Sequence, residues 1–485
     1  MKKMLFIGSS VLLSVAAFCA TSYSSVPQNS WTAATAPVEA KITGGPWTLG
    51  QGPTTKTLPS VGYCVNGVPQ SNIGTNLMQP YYYPFVRGTG KNLQGYFDYR
   101  VKDSNEAVVA ANSKDGGLTW TFQNKVLELN PGLCPSSNST TNAQTYPATT
   151  TPNPYPNPPA SNVLLSNATG SPGATDDGQG HSTVLKIGGV SRLYTIDRSV
   201  NPGDNSVDNL GLVVHTLTSR TLNGVEATSP DTVPNKGTRT TGLLNPDGIL
   251  AEVPGSYPRK VLYVQKQLNG DTTLLPSSQW CSSPTIGYQK GKKPNTDYVT
   301  VRLARTKDGV NFTDMGPVNG LNDQTDTSLT GTRYVASRGT LIHLPDNRYG
   351  LFFSGGNCLD ADSDAFHYIG YAESTDLQHW KVINALNNPI ASVQNTQVTD
   401  PSGPAIPSIP PLIPTQVWFQ QRVYTPNAII NDSNDRKQVS LIFAGYSVKG
   451  PSSDYSNYRT ITQVILNSAL PVHRFESSDL EQSDR

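Results

Sequence analysis

Four aspartates stand where this chain could carry acid–base chemistry. Asp247 opens a short apolar run in NPDGIL, Asp98 lies between aromatics in GYFDYR, and Asp176 and Asp177 precede His181 in TDDGQGHS. Two carboxyl groups facing each other across a bound acetal can hydrolyse it. The separation is roughly 5–5.5 Å for retention and about 6.5–9.5 Å for inversion. Each aspartate also fits a plainer role: an Asp beside Pro and Gly makes an ordinary turn, and one between aromatics can be a satisfied structural group.

A second set is basic and phenolic. Arg87, Arg338 and Arg422, if convergent, would clamp a carboxylate through bidentate guanidinium contacts, with Tyr424 as a nucleophile. The competing reading pairs these arginines with neighbouring aspartates. His181 suits hydrogen-bond donation, and no partners for a metal stand beside it in the sequence. Tyr81–Tyr83 and Trp280 can stack on sugar faces or simply pack. Asp360, Asp362 and Asp364 alternate in DADSD. Alternating carboxylates suit Ca²⁺, but the loop lacks the Gly and closing Glu of an EF-hand, so a solvated acidic loop is the rival reading. Cys358 just before it suggests a disulfide that fixes the loop.

Composition bounds what must position these groups. The chain has 485 residues with 42 Gly, 38 Pro and 22 Tyr, and only 15% are charged. Turn formers mixed with strand-favouring aromatics point to an all-β protein. A formal net charge of +1 leaves no basic footprint for nucleic acid. Residues 1–22 read as a signal peptide: Lys2 and Lys3, the apolar run Met4–Phe18, and small Ala20 and Ser22 at the cleavage positions. No later apolar run reaches membrane length, so the expectation is a secreted or periplasmic monomer without a membrane span. Cys64, Cys134, Cys281 and Cys358 remain after cleavage and suggest two disulfides of open connectivity.

Residues 23–77 show no sustained periodicity and read as an irregular leader that wraps the domain. From 78 to 470, short strands recur between turns in five units, interrupted by a Pro/Ser/Thr/Asn-rich insertion at 131–175 that cannot bury enough apolar surface to order itself. Residues 471–485 are a polar tail. Five such units of about 45–75 residues predict a five-bladed β-propeller of four-stranded antiparallel blades. A turn of the form Ser/Thr-x-Asp followed by an aromatic recurs at Ser113–Trp120, Thr306–Phe312 and Ser374–Trp380. Its polar side chains can bond the turn backbone while the aromatic plugs between blades. Glu373, just before the last of these turns, is expected on the surface of an outer strand.

IGYAESTDLQHW and YVTVRLARTKDGVNF resemble the outer hairpins of five-bladed glycosidases, the arabinanase/xylosidase, invertase/levansucrase and mannoside-phosphorylase group. SKDGGLTW is similar to the Asp-box of sialidases, which have six blades. The resemblance covers about Gln79–Leu466. It implies a glycoside hydrolase acting on an oligo- or polysaccharide, without an organic cofactor, with acidic residues contributed by the first three blades. Asp98, Asp177 and Asp247 would be catalytic, Asp247 lying near where relatives place their acid, while Arg87, His181, Arg338 and Tyr424 would contact substrate. One departure matters: an arabinanase-like first blade begins with Asp-Pro, whereas this chain has Gln79-Pro80, and glutamine cannot serve as a base. Sialidase-like hydrolysis by the arginine cluster and a propeller that binds without catalysis are the alternatives.

Overall fold

The computed structural model of the chain describes residues 28–43, 63–65, 68–70, 79–101, 104–128, 182–201, 206–217, 220–222, 225–227, 238–253, 256–266, 299–322, 334–356, 367–393, 410–420, 422–431, 437–447 and 458–472, some strand residues by their backbone alone. Strands β1 (Trp31–Ala33), β2 (Val38–Glu39) and β3 (Lys41–Thr43) come first, then a hairpin of β4 (Tyr63–Val65) and β5 (Val68–Gln70). Blade one is β6 (Gln79–Thr89), β7 (Asn92–Val101), β8 (Ser104–Ser113) and β9 (Thr119–Glu128). Blade two is β10 (Thr183–Ile187), β11 (Val190–Asn201) and β12 (Ser206–Leu217). After a side hairpin of β13 (Arg220–Leu222) and β14 (Val225–Ala227), β15 (Thr238–Arg239) is its fourth strand. Blade three is β16 (Pro246–Glu252), β17 (Arg259–Lys266), β18 (Val299–Thr306) and β19 (Phe312–Pro317). Blade four is β20 (Tyr334–Leu344), β21 (Arg348–Gly356), β22 (Tyr368–Ser374) and β23 (Lys381–Asn384), with β24 (Ala391–Ser392) beside β22. Blade five holds β25 (Arg422–Ile430), β26 (Gln438–Ser447) and β27 (Tyr458–Ser468). The protein is the all-β five-bladed propeller that the repeats predict.

Blade five takes its fourth strand from the other end of the chain. Trp31 pairs with Ser468 and Ala33 with Leu466, and β2 continues along the same edge, Val38 opposite Gln463. Part of the stretch that reads as irregular leader therefore belongs to the ring. Trp31 is the reason it holds: its ring sits edge-on to Phe352 at 4.9 Å and to Tyr371 at 5.4 Å. Such pairs contribute about 0.5–1.5 kcal/mol each beyond burial.

The chain then crosses to blade one, where β3 runs parallel to β9 with Lys41 opposite Thr119. This crossing is repeated. Thr241, leaving blade two, bridges in parallel to Asn311 of blade three, and Asn319, leaving blade three, bridges to His379 of blade four. Residues 34–43 thus supply the connector from blade five to blade one that chain order cannot. The backbones approach so closely that Gly242 and Gly320 are required. They adopt φ +79 and +88, and a Cβ would meet Phe312 O at 1.9 Å and Trp380 O at 2.0 Å respectively.

Each crossing lands on one of the recurrent turns. Ser113, Thr306 and Ser374 accept the N–H of Gly117, Gly309 and Leu377 at 2.9, 2.8 and 2.9 Å. Asp115, Asp308 and Asp376 accept the next backbone N–H groups. The Trp120 and Trp380 indoles close the turns onto Gly117 O and Leu377 O, both at 3.0 Å. Burial tends to raise the Asp376 carboxyl, but hydrogen bonds from His379 and Gln378 outweigh it and hold it at about 2.

Among the described residues, apolar clusters fill the spaces between neighbouring blades, from one–two round to four–five. Glu373 corrects a sequence expectation. It is buried, its Oε2 2.7 Å from Arg348 Nη1, and its Oε1 accepts from the Asn29 N–H at 2.9 Å and the Tyr371 hydroxyl at 3.2 Å. The N-terminal strap covers what would otherwise be an exposed strand, and the carboxylate anchors that strap.

Candidate functional site

The innermost strands β6, β10, β16, β20 and β25 begin at one rim, and the second strand of each blade ends there. In blade one Gln79 stands opposite Arg100, whereas Thr89 is opposite Asn92 at the far rim. Among the described residues, four of the five inner strands are bulged: β6 between Gln79 and Phe85, β16 between Pro246 and Ala251, β20 between Ala336 and Thr340, and β25 between Tyr424 and Asn427. Bulges twist a strand and re-aim its side chains, and they are enriched beside functional sites.

Asp247 is the second residue of β16 and is 2% exposed. Its Oδ2 lies 2.9 Å from Nζ of Lys266, the last residue of β17 and also buried. Burying either charge alone would be severely unfavourable, so each makes the other tenable. Around the next half of the ring, Arg338 on β20 and Arg422 and Tyr424 on β25 are also buried. This places a carboxylate, two guanidinium groups and a phenol on the bulged inner strands of blades three to five, and an ammonium group at the end of the second strand of blade three.

The bulge of β25 is strained. Thr425, a β-branched residue, has φ 50 and is fully buried. Such a conformation costs of order 1–3 kcal/mol and persists only where neighbours impose it. They do: Ser354 Oγ accepts the Thr425 N–H at 2.9 Å and Thr340 Oγ1 donates to Pro426 O at 2.9 Å. Blade four therefore holds the start of blade five in place.

Other sequence candidates fall elsewhere. Arg87 is corrected. It is near the end of β6, opposite Gln94, because the strand runs two residues past it to the far-rim turn. There it donates to Gln94 Oε1 at 3.0 Å and to the Tyr96 hydroxyl at 3.1 Å, its guanidinium 5.4 Å from the Tyr96 ring centroid. A three-arginine clamp including Arg87 is not formed. Asp98 lies near the end of β7, opposite Tyr82, which brings its backbone towards the near rim; its side chain lies outside the described residues, as do Asp176, Asp177, His181, Trp280 and Asp360–Asp364. The described residues contain no group of three potential metal ligands. Lys266 escaped the sequence reading, although a Lys closing the apolar strand KVLYVQK, at the rim shared with Asp247, was the available signal.

No protein-family model matches the chain, and no curated protein matches it. Among solved structures it is similar to an N-acetylgalactosamine deacetylase from F. plautii in complex with blood group B trisaccharide, with 13% identity and a TM-score of 0.42 over 86% of this chain and 94% of that one. A GH62 hydrolase in complex with xylotriose gives 8% and 0.40, over 88% and 97%. A GH43_1 enzyme from Xanthomonas citri complexed with xylotriose gives 11% and 0.37, over 79% and 87%.

Proposed function

We propose that the protein is a carbohydrate-active hydrolase, exported after removal of residues 1–22 and monomeric, whose reaction takes place at the near rim. One observation carries this: Asp247 is a buried carboxylate on an innermost strand, paired to Lys266 at 2.9 Å. Guanidinium and phenol groups occupy the inner-strand starts of the next two blades. A fixed anion there can take a proton from water or stabilise the oxocarbenium-like charge that develops on a sugar ring. Arg338, Arg422 and Tyr424 suit hydrogen bonding to sugar hydroxyls. Asp98 is the first candidate for the second carboxyl group and Asp177 the next, with His181 contacting substrate. The resemblance of the outer hairpins to those of five-bladed glycosidases supports the reading, and hydrolysis of this kind requires no organic cofactor.

The test is a screen of the purified protein against chromogenic furanosides, pyranosides and sialosides, repeated with a folded Asp247→Asn variant. Cleavage of at least one glycoside, abolished in the variant, is the expected result. Binding of a glycan without turnover would make the propeller a binding module, and unchanged turnover in Asp247→Asn would remove Asp247 from the chemistry.

A further inference from the structure

The Asp247–Lys266 pair constrains which catalytic role Asp247 can fill. Pro246 stands opposite Gln265, so Asp247 and Lys266 are diagonal neighbours on one face of the ladder, within reach of long side chains. The backbone locks them there. The Lys266 N–H donates to Asn245 O at 3.1 Å. Asn245 (φ 40) and Gly248 (φ 125) flank the pair in left-handed conformations at the bulge. Side-chain exposures of 7% for Lys266 and 3% for Asp247 deny the two charges the solvent screening that weakens surface pairs.

A carboxyl group that donates a proton to a leaving group must be protonated at working pH. Apolar surroundings without nearby positive charge produce that state. A buried ammonium group at hydrogen-bond distance does the reverse and favours the anion. Among the described residues, the other buried titratable groups on the strands packed against β16 are Tyr194 on β11, His215 on β12, Tyr263 on β17 and Arg338 on β20.

We infer that Lys266 is a positioning residue that fixes Asp247 as the anion of the site, so that Asp247 accepts the proton or stabilises charge while a different residue donates. This inference rests on the hydrolase reading. It reverses the role of proton donor that the resemblance suggests for blade three.

The experiment compares Lys266→Met and Lys266→Arg with the unaltered protein on whichever aryl glycoside of the panel is cleaved fastest, as pH profiles of kcat/KM, with melting temperatures alongside. Lys266→Met should lose about 10²-fold in kcat at the original optimum, the usual cost of a misplaced catalytic group. Its acidic limb should move to higher pH, because the carboxylate without its cation holds its proton longer. Lys266→Arg should keep the limb in place. An unmoved acidic limb in folded Lys266→Met overturns the inference. A second readout does not need activity: in a cycle of Asp247→Asn, Lys266→Met and the double variant, the double variant should melt above Lys266→Met alone. Additive melting shifts would deny the coupling. Coupled shifts in a protein that cleaves no glycoside would defeat the hydrolase reading and leave Lys266 a structural residue, which also overturns its positioning role.

Discussion

The Asn427 side chain takes the place of a backbone peptide between blades five and one. Its Oδ1 accepts the Val86 N–H at 3.0 Å, and its Nδ2 donates to Pro84 O at 2.8 Å and to Thr425 O at 2.9 Å. β25 pairs with β26 and β6 with β7, and the buried amide bridges these two sheets. With Ser354 and Thr340 reaching the same bulge from blade four, residues 425–427 tie three inner strands together just below Arg422 and Tyr424.

Asn427→Ala should accordingly be costly. It leaves the Val86 N–H and the Pro84 and Thr425 carbonyls to find new partners in a buried place, at about 1–3 kcal/mol for each orphaned group. Equilibrium denaturation should show a loss of at least about 2 kcal/mol with an unchanged denaturant slope. A loss within experimental error would mean that the amide does not join the blades.

Glu373 governs the N-terminal strap, and removing one partner of its buried pair strands the other. Glu373→Ala should cost about 3–5 kcal/mol, whereas the double variant with Arg348→Met should recover part of that loss. The Asn29 N–H loses its acceptor in both, so limited proteolysis should cut near residues 28–33 faster than in the unaltered protein. Equal cleavage rates would show that Trp31 packing alone holds the strap.

Blade count and strand polarity were legible because they are local. Ser374, Asp376 and Trp380 sit within seven residues and make one turn, and the same chemistry recurs at Thr306–Phe312. Ring closure was not legible. β1 has three residues, and its partner β27 lies more than 400 residues away, so no periodicity announces it. Glu373 was misread for a related reason, since its partners include Asn29 of the distant strap beside Arg348 and Tyr371 of its own blade. Arg87 was misplaced by strand length: an inner strand of 11 residues carries its ninth residue to the wrong rim. Asp247 was legible as an inner-strand opener, but Lys266 reaches it through ladder register, which sequence patterning does not report.

The crossings predict a ranking among glycines. Gly320→Ala drives a Cβ into the Trp380 carbonyl, 2.0 Å away, and the atom met is backbone that cannot swing aside. Gly316 also has a positive φ, +100, but a Cβ there meets nothing within 4 Å. Gly316→Ala should therefore cost only the conformational penalty of about 1–2 kcal/mol, and Gly320→Ala clearly more. Melting curves of the two variants decide it, and equal shifts would show that the blade three-to-four crossing yields without resistance.

The turn carboxylates predict an acid limb in stability. Asp376 has an ordinary value of 3.8 and is held at about 2 in the folded turn, burial being outweighed by the His379 ring and the two backbone N–H groups. Asp115 and Asp308 are also held below their ordinary range. A carboxyl lowered by folding stabilises the native state fully above the unfolded value and loses that contribution as pH falls through the folded one. The window here runs from about pH 4 down to about pH 2. His379 lies 2.7 Å from Asp376 on the exposed side of the turn, where solvent screens the pair, so the effect should be modest and should weaken in salt. Melting temperature against pH should fall less steeply for Asp376→Asn than for the unaltered protein across this window, while the variant melts lower at pH 7 because the amide oxygen accepts weaker hydrogen bonds from the His379 and Gln378 N–H groups. Parallel curves would place the turn's stability in the Trp380 plug and the Ser374 hydroxyl instead of the carboxylate.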